Sequence, residues 1–275
     1  MKNLTIFEKK IETQVAMTKE ERHEIILDML MQHSSLLVTD LAEQLNVSSV
    51  TIRKDLTELE RAKKLYRNHG KAILIDPYSE NRNISDKEKL CVDEKRAIGA
   101  YAASLVTPKD SILIASGTTM HALARNISSP DKLTVITASL EVANILSTNK
   151  EIDIIQLGGL LRHSSLSVVG KHAEAALSDF SCSKLFIGVD GIDLDFGITT
   201  TDMMEASLNR VMIQTAQKTI VLADSSKFGR RGFSKICDME DIDHIITDSK
   251  ISKATANRIE EMGIDLTIVE DFRHF

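Results

Sequence analysis

The sequence predicts two domains of different class: an N-terminal α+β winged helix-turn-helix over residues 18–75 and a C-terminal α/β domain with a mainly parallel sheet over residues 87–275. Three observations point there. Two short helical patterns abut across a turn near Asn46, and a strand, a Gly-containing turn and a second strand follow. From Glu94 onward, short β-branched runs alternate with helical patterns, as in βα units. Between them, residues 76–86 hold Pro77, Ser79, Asn81, Arg82, Asn83 and Ser85 with no apolar periodicity, and read as a linker. Residues 1–17 are an N-terminal extension without an assigned role.

The first helix is expected over Thr18–Gln32, where Ile25, Ile26, Met29 and Leu30 recur at helical spacing and Thr18 with Glu21 forms a capping box. Leu36–Val38 is a short extended piece, after which Thr39 caps a brief helix carrying Leu41, Ala42 and Leu45 on one side. Asn46 tolerates the left-handed conformation that stops a helix; Ser48 or Ser49 caps the next, with Ile52, Leu56 and Leu59 along one face. Leu65–Arg67 and Ala72–Leu74, around Asn68-His69-Gly70-Lys71, form the wing. In the second domain, strands are expected at Ile112–Ala115, Leu133–Thr137, Ile152–Leu157, Leu185–Val189, Ile220–Ala223, Ile245–Thr247 and Leu266–Val269. Open sheets of this kind bind ligands beyond the carboxyl ends of their strands.

With 275 residues, 43% hydrophobic and 27% charged, three prolines and twelve glycines, the composition is that of a globular protein. The longest uncharged run, Ser111–Ala124, is too short and too polar to span a bilayer, and the first residues lack an apolar signal core. A cytoplasmic protein without a membrane partner is expected. Cys91, Cys182 and Cys237 lie far apart, and no histidine pair has helical ligand spacing, so no disulfide framework, metal or cofactor is implied. The net charge of -6 hides an asymmetry: over residues 50–75, Arg53, Lys54, Arg61, Lys63, Lys64, Arg67 and Lys71 face only Asp55, Glu58 and Glu60, a local +4.

With Ile52, Leu56 and Leu59 inward, the opposite helix face presents Ser49, Val50, Arg53, Lys54 and Thr57, with Ser48 and Thr51 at its start. Arg binds guanine bidentately, Lys and Ser bind phosphate, and Val or Thr methyls touch thymine. A merely solvated face is the plainer alternative, but the tight turn, the wing and the basic stretch coincide. Those seven residues, with Arg67, His69 and Lys71 of the wing, are the candidate DNA contacts. A second constellation, Ser116-Gly117-Thr118-Thr119, lies between a strand and a helix, where small residues, hydroxyls and a helix N-terminus suit a phosphate. It is neither a Walker loop nor a dinucleotide turn, and a plain helix cap is its alternative.

Arg22, Ile26, the segment Leu41–Leu59 and the wing ending Arg67-Asn68-His69-Gly70 resemble the winged-helix domain of the DeoR family of bacterial repressors. Val47-Ser48-Ser49-Val50-Thr51-Ile52-Arg53-Lys54-Asp55-Leu56 is similar to that family's recognition-helix signature. Lys63 stands where the family usually has a helix-ending Gly, and Lys71 where it has the second wing Gly; a Lys at positive φ there is expected to be strained. Gly158-Gly159 with Arg162, Gly188-Val189-Asp190-Gly191, Gly197-Ile198-Thr199-Thr200 with Glu205, and Asp224-Ser225-Ser226-Lys227 resemble the family's effector domain. That resemblance implies a fold similar to ribose-5-phosphate isomerase and a phosphorylated sugar as ligand. It assigns Ser116, Gly117, Thr118 and Thr119 to the phosphate, Arg162 and Lys227 as cationic partners, and Asp190 and Glu205, beside Gly191, to sugar hydroxyls. Ala115 and Ala138 replace an Asp and an Asn common in the family, removing polar groups expected to face the ligand.

The favoured function is a repressor of carbohydrate catabolism genes, bound to double-stranded operator DNA as a homodimer or homotetramer and released by a phosphorylated sugar. A sugar-phosphate isomerase-like enzyme is one alternative, since Asp190 and Glu205 are carboxylates, but no complete acid–base set is recognisable. A DNA-binding module whose second domain only oligomerises is the other.

Overall fold

The computed structural model describes residues 17–33, 35–62, 64–68, 70–74, 83–128 and 131–270. The chain divides into two compact units, residues 1–75 and 76–275.

In the first unit, α1 (Lys19–His33) opens on the capping box: Thr18 N donates to Glu21 Oε2 at 2.9 Å and Glu21 N donates to Thr18 Oγ1 at 3.2 Å. Next come β1 (Ser35–Leu37), α2 (Val38–Gln44), α3 (Ser49–Arg61), β2 (Leu65–Asn68) and β3 (Lys71–Leu74), with the strands antiparallel in the order β1-β3-β2. Ile26, Leu30, Leu41, Ile52, Leu56, Leu59, Leu65 and Ala72 form one core, each large aliphatic worth about 1.5–3 kcal/mol of burial. Asn46 takes φ 50° and stops α2; Val47 N then donates to Ala42 O at 3.0 Å, and Ser48 Oγ caps α3 by accepting from Thr51 N at 3.1 Å.

Two details differ from expectation. Thr39 does not cap α2, which starts at Val38; the Val38 amide donates to Gly70 O at 3.0 Å, and the Thr39 hydroxyl turns to Asp40 Oδ1. Lys71 is not strained: it lies in β3, paired with Asn68 and Leu37, and Gly70 absorbs the left-handed turn with φ 78°. Lys63 and His69 lie outside the described residues.

The second unit begins with α4 (Ile84–Lys87) and α5 (Val92–Ser104). There follow β4 (Ser111–Ile114), α6 (Thr118–Asn126), β5 (Leu133–Thr137), α7 (Leu140–Leu146), β6 (Ile152–Gln156), β7 (Leu160–Arg162), β8 (Ser167–Val169), α8 (Lys171–Ala176), β9 (Lys184–Gly188), β10 (Gly191–Asp193) and β11 (Gly197–Thr200). The last elements are α9 (Met203–Thr215), β12 (Thr219–Leu222), β13 (Ser234–Cys237), β14 (His244–Asp248), α10 (Lys253–Glu261) and β15 (Asp265–Val269). Seven strands form a parallel sheet in the order β15-β14-β12-β9-β4-β5-β6. Successive side chains alternate between two cores: Leu113, Ile136, Leu185, Val221 and Ile245 enter one, and Ile112, Ile114, Val135, Phe186, Ile220 and Ile246 the other. Both faces are therefore covered, which is why these strands read as continuous apolar runs.

Chain order runs outward from β4 through β5 to β6, then returns to β4's other side at β9 and runs through β12 and β14 to β15. The reversal places a crevice beyond the carboxyl ends of β4 and β9. The hairpin β7-β8 and the antiparallel sheet β10-β11-β13 were not expected, because Gly191–Asp193 and Gly197–Thr200 are short and carry glycine or polar residues. Residues 84–86, expected at the end of the linker, belong instead to α4, where Ile84 is buried and its amide donates to Ser164 O at 2.8 Å. A single apolar residue gives no periodicity to detect. Among the described residues, no helix is long and apolar enough to cross a membrane.

Candidate nucleic-acid interface and candidate ligand site

On α3 the buried face is Ile52, Asp55, Leu56 and Leu59. Val50, Arg53 and Lys54 lie exposed on the other side, with Ser49, Thr51 and Thr57 half-buried among them. Several of the candidate contacts are already engaged. The Ser48 and Thr51 hydroxyls bond to each other at 2.9 Å in the cap, and Thr57 Oγ1 donates to Arg53 O at 2.7 Å. Arg67 is held by Glu60, with Nε–Oε2 at 2.8 Å and Nη2–Oε2 at 2.7 Å, while its amide donates to Oε1 at 3.0 Å. Arg53 and Lys54 have no ion-pair partner among the described residues, so their charges are the most available on this face; Lys71 is exposed on the wing strand.

Past β4, Ser116 is buried and Gly117, at φ 123°, occupies the N-cap of α6. No side chain caps this helix, and a Cβ at Gly117 would meet no atom within 4 Å. The amides of the first turn of α6, with half-buried Thr118 and buried Thr119, thus form an open, positively polarised end.

Past β9, Asp190 accepts from Lys87 Nζ at 2.8 Å on Oδ1, and from Thr200 Oγ1 at 3.0 Å and Thr201 N at 3.2 Å on Oδ2. Burial pushes its carboxyl up, but the charges of Lys87 and Lys227 and these hydrogen bonds outweigh burial and hold it at about 2. Glu205, in the first turn of α9, accepts from Ser116 Oγ at 3.1 Å and from Arg162 Nη1. Burial and the neighbouring Asp190 charge raise the Glu205 carboxyl, against the pull of Arg162. Arg162 also reaches Asp202 at 3.5 Å. Past β12, Asp224 caps a tight turn over Ser225–Lys227 by accepting from Ser226 N at 3.1 Å; Lys227 is half-buried and in no ion pair among the described residues. The crevice therefore gathers Ser116–Thr119, Arg162, Asp190 and Glu205 around hydrogen bonds, with Lys227 electrostatically near.

Gly191, next to Asp190, has a packing role. It is buried in β10, where a Cβ would stand 2.6 Å from Arg230 O and 2.7 Å from Thr199 Oγ1, so glycine serves close packing. Ala115 and Ala138 likewise lie in the apolar core with Leu113, Ile136 and Leu157. Sequence reasoning missed Lys87, Thr200 and Thr201 as partners of Asp190, and Lys95, whose ammonium donates to Lys87 O at 2.6 Å and Leu90 O at 2.7 Å. Lys87 and Lys95 precede the first strand of the sheet, so attention to strand-end loops passes over them.

Residues 22–78 match the DeoR-like helix-turn-helix domain, and residues 90–249 match the DeoR C terminal sensor domain. The chain belongs to the DeoR family of transcriptional regulators. It is 36% identical over 250 residues to YulB of Bacillus subtilis (strain 168), an uncharacterized HTH-type transcriptional regulator, covering 90% of this chain and 96% of YulB. Identity to the HTH-type transcriptional repressor GlcR of the same organism is 35% over 254 residues, covering 92% of this chain and 98% of GlcR. Among solved structures, a ribose 5-phosphate isomerase A from Methanocaldococcus jannaschii aligns with TM-score 0.35 at 17% identity, over 49% of this chain and 53% of that one. In this DeoR-family regulator, α3 lies in the DNA-binding domain, and the crevice from Ser116 to Lys227 lies within the sensor domain.

Proposed function

We propose that this regulator is a cytoplasmic repressor of carbohydrate catabolism genes that holds double-stranded operator DNA through α3 and the wing, and is released when a phosphorylated sugar enters the β4/β9 crevice. The observation that carries the ligand assignment is the uncapped N-terminus of α6, open above Gly117 and beside Ser116, at the switch point of the sheet, with Lys227 following β12 on the other side of β9. An anion there gains free amides, two Thr hydroxyls and a charge-assisted contact. Asp190 and Glu205 offer acceptors for sugar hydroxyls. GlcR, a relative, is named a repressor, which supports the direction of control.

The second domain acts as a sensor and not as an enzyme. Aldose–ketose chemistry needs a carboxylate free to take a carbon-bound proton. Here Asp190 is engaged by Lys87, Thr200 and Thr201, and Glu205 by Arg162 and Ser116. A homodimer or homotetramer is favoured because one winged helix buries little DNA surface and two half-sites gain effective concentration. Exposed Leu160, Leu161, Leu166, Met203 and Met204 supply apolar surface for such contacts. Genome-wide recovery of bound DNA, followed by titration of the recovered operator complex with sugar phosphates, tests this function. Binding sites beside sugar-utilisation genes and release by a phosphorylated sugar are expected; recovery of no specific sites, or turnover of the added sugar phosphate, would refute it.

A further inference from the structure

We propose that Lys87 is a ligand-contacting residue of the sensor crevice, supplied by the short helix α4, and that it gives up Asp190 to hold the anionic group of the effector. The inference rests on the sugar-phosphate reading above and adds to it the residue that ties the ligand to the chain just beyond the DNA-binding unit. Lys87 precedes the matched sensor segment, which begins at residue 90.

A helix of four residues has too few internal bonds to persist alone. Attachments to separate parts of the sensor unit hold α4 in place. At its start, Ile84 N donates to Ser164 O, in the turn between β7 and β8, at 2.8 Å. At its end, Lys87 Nζ donates to Asp190 Oδ1 at 2.8 Å, and the next residue, Glu88, meets His121 Nδ1 at 3.0 Å. His121 is buried on α6, the helix whose first turn is the phosphate cradle. Lys95 fastens the carbonyls of Lys87 and Leu90 from α5. The Lys87 bond is the one attachment made to a carboxylate of the crevice itself.

That bond is also suited to exchange. The Lys87 side chain keeps 31% of its surface exposed, so its ammonium is not sealed from solvent where it meets Asp190. If the ammonium leaves, Asp190 retains the Thr200 and Thr201 hydrogen bonds on Oδ2 and the nearby charge of Lys227, and is not orphaned. A phosphate on the α6 N-terminus carries more negative charge than one carboxylate, and so competes for the same ammonium. Because α4 is the first helix after β3 among the described residues, moving Lys87 changes how the segment entering the sensor unit is anchored. A ligand that binds only one arrangement of that anchor shifts the balance between them.

The experiment uses the full chain, with D-ribose 5-phosphate and inorganic phosphate as probes, in wild type, Lys87→Met and Lys87→Arg. Calorimetric titration, at a temperature where every variant is folded, should show both probes binding wild type, a tenfold or greater loss in Lys87→Met, and recovery of most of the affinity in Lys87→Arg. Amide hydrogen exchange over residues 84–91 should change when ribose 5-phosphate saturates wild type. Wild-type affinity in Lys87→Met overturns the Lys87 assignment and leaves the crevice reading intact. Failure of wild type to bind either probe overturns the crevice reading and the Lys87 assignment with it. Should Lys87→Met not fold, unchanged exchange over residues 84–91 in saturated wild type overturns the proposal.

Discussion

Replacing Arg22 by Met should unfold the DNA-binding unit at markedly lower denaturant, because it strands a carboxylate inside the core. Arg22 on α1 meets Asp55 on α3 at two points, Nε–Oδ2 2.5 Å and Nη2–Oδ1 2.9 Å, with side chains 11% and 3% exposed. Burial pushes the Asp55 carboxyl up, and the hydrogen bonds and charge of Arg22 and His23 overcome it, so Asp55 lies below its ordinary range. Breaking a buried pair from one side costs about 3–5 kcal/mol, against about 0–1 for an exposed pair. His23 Nε2, at 3.2 Å from Oδ1, remains as a partner, which places the expected loss near the lower end, about 3 kcal/mol. Arg22→Met with Asp55→Leu removes both charges and should recover most of that loss, since apolar replacement of a buried pair is often neutral. Urea unfolding of the full chain, followed by far-UV circular dichroism, reads the transition of this unit. A single-variant cost below about 1 kcal/mol, or a double variant weaker than the single, would refute the reasoning.

Arg53→Ala should relax base preference in the operator by about 1–3 kcal/mol, whereas Lys54→Ala should weaken all sequences alike and flatten the salt dependence; anisotropy titrations on specific and random duplexes separate the two. Gly191→Ala should destabilise the sensor unit by about 1–3 kcal/mol, as its methyl would meet the Arg230 carbonyl at 2.6 Å, and a melting curve checks this. The folded Asp190 value, about 2, lies below the unfolded value of about 3.9, so its contribution is complete above the unfolded value and is lost as pH falls through about 2. Asp190→Asn should therefore lessen the fall in stability over that acid range, measured by urea midpoints at stepped pH.

What the sequence made legible followed from local rules. The capping box at Thr18 and Glu21, the left-handed Asn46 and the seven parallel strands depend on spacing and on residue type within a few positions, and the structure shows each of them. The N-terminus of α2 was misread because its first amide is satisfied across the fold by Gly70 O, a tertiary bond that replaces the local Thr39 cap. The packing role of Gly191 was not legible, because the Arg230 carbonyl that its Cβ would meet at 2.6 Å lies far from it in sequence. Lys87 escaped notice because its partner Asp190 lies 103 residues away, a pairing that only the reversal of strand order at β4 and β9 brings about.

The most direct test of effector control is release of the operator from Thr118→Val and Lys227→Ala variants of the full chain, followed by fluorescence anisotropy as a phosphorylated sugar is added. Val at Thr118 keeps the shape of the first α6 turn and removes its hydroxyl, and Ala at Lys227 removes a side chain that has no ion-pair partner among the described residues. Both variants should bind the operator as wild type does and hold it at effector concentrations at least tenfold above those that release wild type, and the unphosphorylated sugar should release none of the three. Release of both variants at the wild-type concentration, or equal release by the unphosphorylated sugar, would contradict phosphate sensing at the α6 N-terminus.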